Sequence, residues 1–291
     1  MCCLFLAASS TVAIAQTSVV DLVNPIIGTN GMGHTFPGAC VPFGLVQLSP
    51  DTDTIPHNVD GKYQPRSYEY CAGYQHKDSS IVGSSHTHFS GTGHSDLGDI
   101  LIMPTTGTLK LNPGTATNPD GGYRSRFSHG TEISRPGYYE VMLTDYGVKA
   151  QLTTTQRVGI HKYTYPTNSE NQRIILDMIH GIYNYDGKVL WTNIRVENDT
   201  LVTGYRITNG WARTNYTYFA MSFSKPITHY GCEEKAKVNY RGGYAKFNMK
   251  ENFPDIGGRK IVAYFDFDPK TSDELEVKVA LSGVRTEGAL K

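Results

Sequence analysis

Past residue 138 the chain alternates apolar and polar positions with few interruptions. In "TYFAMSFS" (217–224), Thr217, Phe219, Met221 and Phe223 fall on one face, and Tyr218, Ala220, Ser222 and Ser224 on the other. In "ELEVKVAL" (274–281), Leu275, Val277, Val279 and Leu281 point one way while Glu274, Glu276 and Lys278 point the other. A period of two marks a strand with one buried and one wet face. Similar runs are "YYEVMLTD", "VKAQLTTT", "VGIHKYTY", "QRIILDMI", "KVLWTNIRVE", "TLVTGYRIT" and "GRKIVAYFDF". Turn-forming stretches such as "DYG", "PTNSEN", "TNGW" and "DPKTSDE" separate them. "RVENDTLVTGY" predicts a hairpin turning at Asn198 and Asp199. No long stretch keeps the i, i+3, i+4 apolar face of a helix. Many short strands without helices between them predict an all-β fold, a large antiparallel β-sandwich.

The first third follows another pattern. Residues 24–104 are rich in Gly, Pro, Ser, His and Asp, and eight residues between 25 and 44 are Gly or Pro. This predicts ordered loop with short strands such as "GLVQLSP" (44–50). Long ordered loops in a compact domain are usually functional. The expected body is therefore a regular sandwich carrying an elaborate loop surface.

Composition narrows the partners. Lys+Arg and Asp+Glu both number 27 in 291 residues. A balanced chain without charge blocks lacks the basic face that nucleic acid or anionic membrane needs. Tyr reaches 19, and its flat ring with a polar tip suits contacts with neutral ligands. Residues 1–16, "MCCLFLAASSTVAIAQ", read as a signal peptide ending after "AIA", although the basic n-region is missing. The run is too short to span a bilayer. The expected location is periplasmic or extracellular, with residues 17–291 forming the β-sandwich. Cys40, Cys71 and Cys232 remain after cleavage. One disulfide is compatible with export, and none of the three has metal-ligand spacing.

Candidate chemistry gathers in "SIVGSSHTHFSGTGHSDLGD" (80–99), which holds His86, His88, His94, Asp96 and Asp99. An H-x-H pair on a strand puts both imidazoles on one face, a spacing zinc sites use. His94, Asp96, Asp99 or His34 would complete such a set. Loop hydrogen bonding and direct ligand contact are the alternatives. Asp96 and Asp99 could offer hard oxygens to calcium, or cap turns through their own backbone. "GTNGMGHTFPG" (28–38) lacks the Lys and following helix of a phosphate loop, so its glycines point to close backbone approach. No G-x-S-x-G is present. Glu69, Asp78, Asp96 and Asp99 are the acids of the loop-rich third, and spacing selects no catalytic pair among them. Phe36, Phe43, Tyr63, Tyr68, Tyr70, Tyr74 and Phe89 supply aromatic surface there, either for a sugar or for core packing.

Three blocks carry a specific resemblance: "VNPIIGTNGMGHTFPGACVPFGLVQLSPDT", "YEYCAGYQHKDSSIVGSSHTHFSGTGHSDLGDILIMPT" and "FSHGTEISRPGYYEVMLTDYGVKAQLTTTQRVGIHKYTYP". Together the sequence resembles the N-terminal domain of the glycoside hydrolase family 92 α-mannosidases, from about Asp21 onward. The resemblance implies a supersandwich of the galactose-mutarotase-like type and an exported, calcium-dependent, inverting exo-α-mannosidase acting on mannose-containing glycans such as N-glycans or mannan. It implies a C-terminal (α/α)6 barrel that holds the general acid, the general base and most calcium ligands. By position in the family motif, His34, Cys71, His86 and His88 are the candidates for lining the sugar site. The sequence stops at "VALSGVRTEGALK", about where the resemblance implies the linker and barrel begin, so the barrel is expected to be absent from this chain. Inversion needs two carboxyls spaced for a water, so this chain alone is expected to be inactive, and no catalytic residue or metal ligand is assigned within it. Two alternatives stay open: a free-standing carbohydrate-binding sandwich, and a mutarotase-type epimerase pairing His86 or His88 with Glu69.

Overall fold

The computed structural model describes residues 18–91, 96–235 and 252–291, so residues 1–16 and His94 lie outside it. Two large antiparallel sheets dominate. The nine-stranded sheet runs, in spatial order, Asp255–Gly258, Val189–Asn198, Leu201–Thr208, Asn215–Phe223, Glu274–Ser282, Val158–Thr164, Val148–Thr154, Tyr138–Leu143 and Ile133–Arg135. The seven-stranded sheet runs Ala39–Cys40, Gln47–Asp51, Gly83–Ser85, Leu101–Thr105, Gln172–Asp177, Ile261–Phe267 and Ile227–Glu234. Helical structure among the described residues is limited to short 3-10 turns and the one-turn helix Thr286–Ala289.

The alternating runs fold as their pattern dictates. Leu275, Val277, Val279 and Leu281 are buried while Glu274, Glu276 and Lys278 face water. Thr217, Phe219, Met221 and Phe223 are all buried on the inward face of their strand. The hairpin turns where expected, with the Asn198 side-chain oxygen accepting from the Thr200 amide at 2.9 Å. The two inner faces meet in one continuous core that joins Leu48, Ile102, Ile175 and Val262 to Leu152, Phe219 and Val277. Phe223 packs across it against Phe265 and Phe267, at ring-centre distances of 5.6 and 4.9 Å.

Two features depart from the period-two reading. Gln172–Asp177 is buried at every position. The strand is interior and covered on its outer face as well, where Tyr123 donates to Asp177. A strand enclosed on both sides need not alternate. Its polar groups are paired instead: Arg173 Nε lies 2.6 Å from Asp266, and Gln172 donates to the Ser272 carbonyl at 2.9 Å. The loop-rich third, moreover, is part of the sandwich body rather than a surface laid over it. Its strands at 39–40, 47–51, 83–85 and 101–105 make one flank of the seven-stranded sheet, in register Ser49↔Ser85 and Ser84↔Ile102. Serine and glycine make up the Gly83–Ser85 strand of this flank, which hides that strand from a hydrophobicity scan.

Candidate functional site

The strand Gln47–Asp51 ends in an aspartate with no solvent exposure. Gly73 approaches so closely that a Cβ there would lie 1.9 Å from Asp51 Oδ1, and its φ of +81° also favours glycine. Two histidines hold the carboxylate. His88 Nε2 is 2.9 Å from Oδ1, and His180 Nε2 is 2.9 Å from Oδ2. His88 Nδ1 donates to the Gln47 carbonyl at 2.8 Å, Ser85 Oγ lies 3.2 Å from Nε2, and Phe36 packs on the ring. Burial by itself pushes the Asp51 carboxyl up. The His88 and His180 imidazoles outweigh it and hold the group below the usual carboxylate range.

The neighbouring histidine does different work. His86 lies between the two sheets, fully enclosed. Its Nδ1 donates to the Ile100 carbonyl at 2.6 Å, so its Nε2 accepts from His161 Nε2 at 3.0 Å, and His161 Nδ1 accepts from the Tyr163 hydroxyl at 2.8 Å. This hydrogen-bond chain works with both imidazoles neutral. Burial holds His86 down at about 4, and burial together with His86 pushes His161 well below its ordinary value. His86 therefore sits in the core, whereas sequence reasoning had grouped it with the sugar-facing residues. It is also remote in role from Glu69, which pairs with Lys77.

The two acids that follow act as loop anchors. The Asp96 carboxylate accepts from the Trp211 and Ala212 amides at 2.9 and 3.1 Å. Asp99 accepts from Thr87 Oγ1 at 2.9 Å and pairs with buried Arg206 at 3.2 Å. Thr87 Oγ1 in turn accepts from the Gly98 and Asp99 amides, which closes the turn.

Above these anchors lies an open cleft of ≈ 580 Å³ lined by His57, Tyr63, Tyr68, Tyr183, Tyr185 and Trp211. This volume is ample for a small ligand. His57 stands at its centre, 5.0 Å from the Tyr63 ring and 5.8 Å from that of Tyr183, edge-on to both. Trp211 is 81% exposed. Tyr183 occupies the left-handed region at φ 51° and hydrogen-bonds the buried Cys71 thiol. Burial raises that thiol to about 11, so it is no ready nucleophile. His34, also left-handed at φ 51°, packs edge-on against Tyr68 at 4.7 Å. Its Nδ1 is 3.3 Å from the Gly91 carbonyl, and its buried Nε2 has no hydrogen-bond partner among the described residues. The structure thus joins His34 and Cys71 to the cleft walls through Tyr68 and Tyr183, and places His88 at the Asp51 centre. Cys40 and Cys71 are free thiols.

Sequence reasoning did not single out Asp51, His180, His57, Tyr183, Tyr185 or Trp211. The run "HGIYNYDG" (180–187), aromatic and glycine-flanked between two strands, is the signal that could have found three of them.

Comparison with known proteins agrees with this architecture. The chain is 40% identical to a family GH92 α-mannosidase of Bacteroides thetaiotaomicron solved in complex with mannoimidazole. The match has a TM-score of 0.80 and covers 93% of this chain and 33% of that one. A GH92 inverting mannosidase of the same organism matches in fold at 24% identity and a TM-score of 0.69, again over 33% of its length. An uncharacterized secreted glycosidase of Arthroderma benhamiae is 28% identical over 170 residues, 55% of this chain and 19% of the fungal protein. The chain thus spans about a third of its solved relatives. Residues 22–282 match the family described as the glycosyl hydrolase family 92 N-terminal domain, and the chain belongs to that family.

Proposed function

We propose that this chain is the non-catalytic half of an exported exo-α-mannosidase. Its aromatic cleft lends carbohydrate contacts to an active site completed by a helical domain. The observation that carries the reading is the cleft itself: five aromatic rings and His57 line an open space, with the Trp211 segment held by the Asp96 carboxylate. Sugars present apolar ring faces to aromatic walls and hydroxyls to polar tips, which tyrosine and tryptophan supply together. The unpartnered His34 Nε2 beneath Tyr68 adds an unused polar group beside this wall.

In this reading the general acid and base come from the helical partner, as does the calcium. Among the described residues, the one group of three His, Cys, Asp or Glu whose donor atoms all lie within 4.8 Å of one another is His76, His129 and Glu132, which is dominated by nitrogen. Calcium requires an oxygen-rich shell, and that group does not fit it. Export is supported by the secreted fungal relative, and no described helix is long and apolar enough to cross a membrane.

The test uses the full-length mannosidase and this chain in parallel. Trp211→Ala in the full-length enzyme is expected to lower mannose release from α-mannobiose by up to about tenfold, the loss of one aromatic contact of about 0.5–1.5 kcal/mol. The isolated chain is expected to release no mannose. Unchanged turnover in Trp211→Ala and Tyr183→Phe would remove the cleft from the active site. A free-standing binding module is the second reading, favoured by the openness of the cleft. Micromolar calorimetric affinity of the isolated chain for mannose would select it.

A further inference from the structure

A second cluster lies outside the cleft and outside the Asp51 centre. His76 follows Tyr74 and Gln75, and its amide donates to the Thr29 carbonyl at 2.8 Å. His129 opens a 3-10 turn capped by the Ser128 hydroxyl, and Glu132 follows that turn directly. The two imidazoles stack at 4.0 Å with a 31° tilt. His129 Nδ1 is 2.8 Å from Glu132 Oε2. One donor atom from each of the three residues lies within 4.8 Å of the others.

Two details separate this group from an ordinary surface triad. The Nδ1 atom of His76 is enclosed and has no hydrogen-bond partner among the described residues, an unsatisfied position a folded protein normally avoids. Glu132 is held from behind: Tyr139 donates to Oε1 at 2.6 Å and Tyr74 at 2.8 Å, while Oε2 turns toward His129. Its side chain is only 3% exposed, whereas that of His129 is 39% exposed. A carboxylate fixed by two phenols beside a solvent-reachable imidazole has the form of a metal ligand with its outer hydrogen bonds already made.

We infer that His76, His129 and Glu132 form a binding site for a late first-row divalent cation such as zinc, which clips the 74–78 segment to the 129–132 turn. Two nitrogens and one oxygen suit zinc, with water in the fourth position on the His129 side. The same donors are wrong for calcium, so this site is distinct from any calcium requirement of the whole enzyme. On binding, the ion takes the place of the proton between His129 and Glu132. The two rings swing out of their stack so that their lone pairs converge, and His76 Nδ1 gains a partner. The clip joins segments more than fifty residues apart in sequence.

The test is calorimetric titration of the chelator-treated chain with zinc chloride, repeated with cobalt to read coordination from its visible spectrum. Expected are one equivalent per chain, a Kd in the micromolar range or below, a tetrahedral cobalt spectrum, and a Tm raised by about 4 °C or more. His129→Gln, at a half-exposed position that the fold tolerates, is expected to weaken binding at least tenfold, as is His76→Gln. No binding up to about 1 mM zinc, or binding that His129→Gln leaves intact, would overturn the assignment.

Discussion

Four buried histidines show how differently one residue type is used in this chain. His88 and His180 bracket a carboxylate, while His86 completes a neutral chain to His161 and Tyr163. The consequence is a pH response with two separable windows. His86 has its folded-state pKa at about 4, below the ordinary value near 6.5, so the unfolded chain binds more protons between those values. The stability it contributes is complete above about pH 6.5 and is lost as pH falls toward 4, roughly 3 kcal/mol for a fully buried group. His161 shifts in the same direction. Asp51, whose folded pKa is depressed, loses its contribution only below the ordinary aspartate range. Urea unfolding at pH 7, 5.5 and 4.5 is therefore expected to show falling stability. The double variant His86→Gln, His161→Gln is expected to flatten that slope without removing the Asp51 loss at lower pH. An unchanged slope in the double variant would place the acid response elsewhere. None of these pairings is legible in sequence. "HTH" shows two histidines on one face of a strand, yet the strand ends at Ser85 and the chain bends at His86, so one imidazole enters the core and the other reaches Asp51. His180 meets Asp51 across 129 residues.

At the scale of elements, most strands were legible, but the facing of those that do not alternate was not. The strand Glu274–Ser282 faces water on one side, so its amino acids record its orientation. Gln172–Asp177, enclosed on both sides, and Gly83–Ser85, with no apolar side chain, record nothing of the kind. Glycine within a strand can also mark packing. Gly204 lies opposite Phe219, and a Cβ there would sit 2.1 Å from the Asn193 carbonyl and 2.7 Å from the Phe219 ring. Gly204→Ala is expected to destabilise by about 1–3 kcal/mol through overpacking, read from the urea midpoint at unchanged m-value. A neutral result would mean that the pair shifts apart freely. The aromatic cleft was half legible. Tyr63 and Tyr68 stand in the loop-rich third where sugar-facing residues were sought, whereas Tyr183, Tyr185 and Trp211 arrive from loops between regular strands.

The whole molecule is one core with two layers, and the cleft rests on loops whose anchors reach into it. Asp96 ties the Trp211 segment to the 96–99 turn, and Arg206 ties that turn to the nine-stranded sheet. Unfolding followed by tryptophan fluorescence and by far-ultraviolet circular dichroism is therefore expected to give coincident curves. An earlier fluorescence transition would show the cleft loops opening before the sheets. The strand order carries a further consequence for biosynthesis. Glu274–Ser282 lies in the middle of its sheet, between Val158–Thr164 and Asn215–Phe223. Until the ribosome has delivered that strand, the two hairpin groups beside it each present a bare, apolar edge with no neighbour. Such edges invite pairing with other chains. A nascent polypeptide of this fold must keep both groups shielded until residues 274–282 arrive, then zip the sheet shut in a single step.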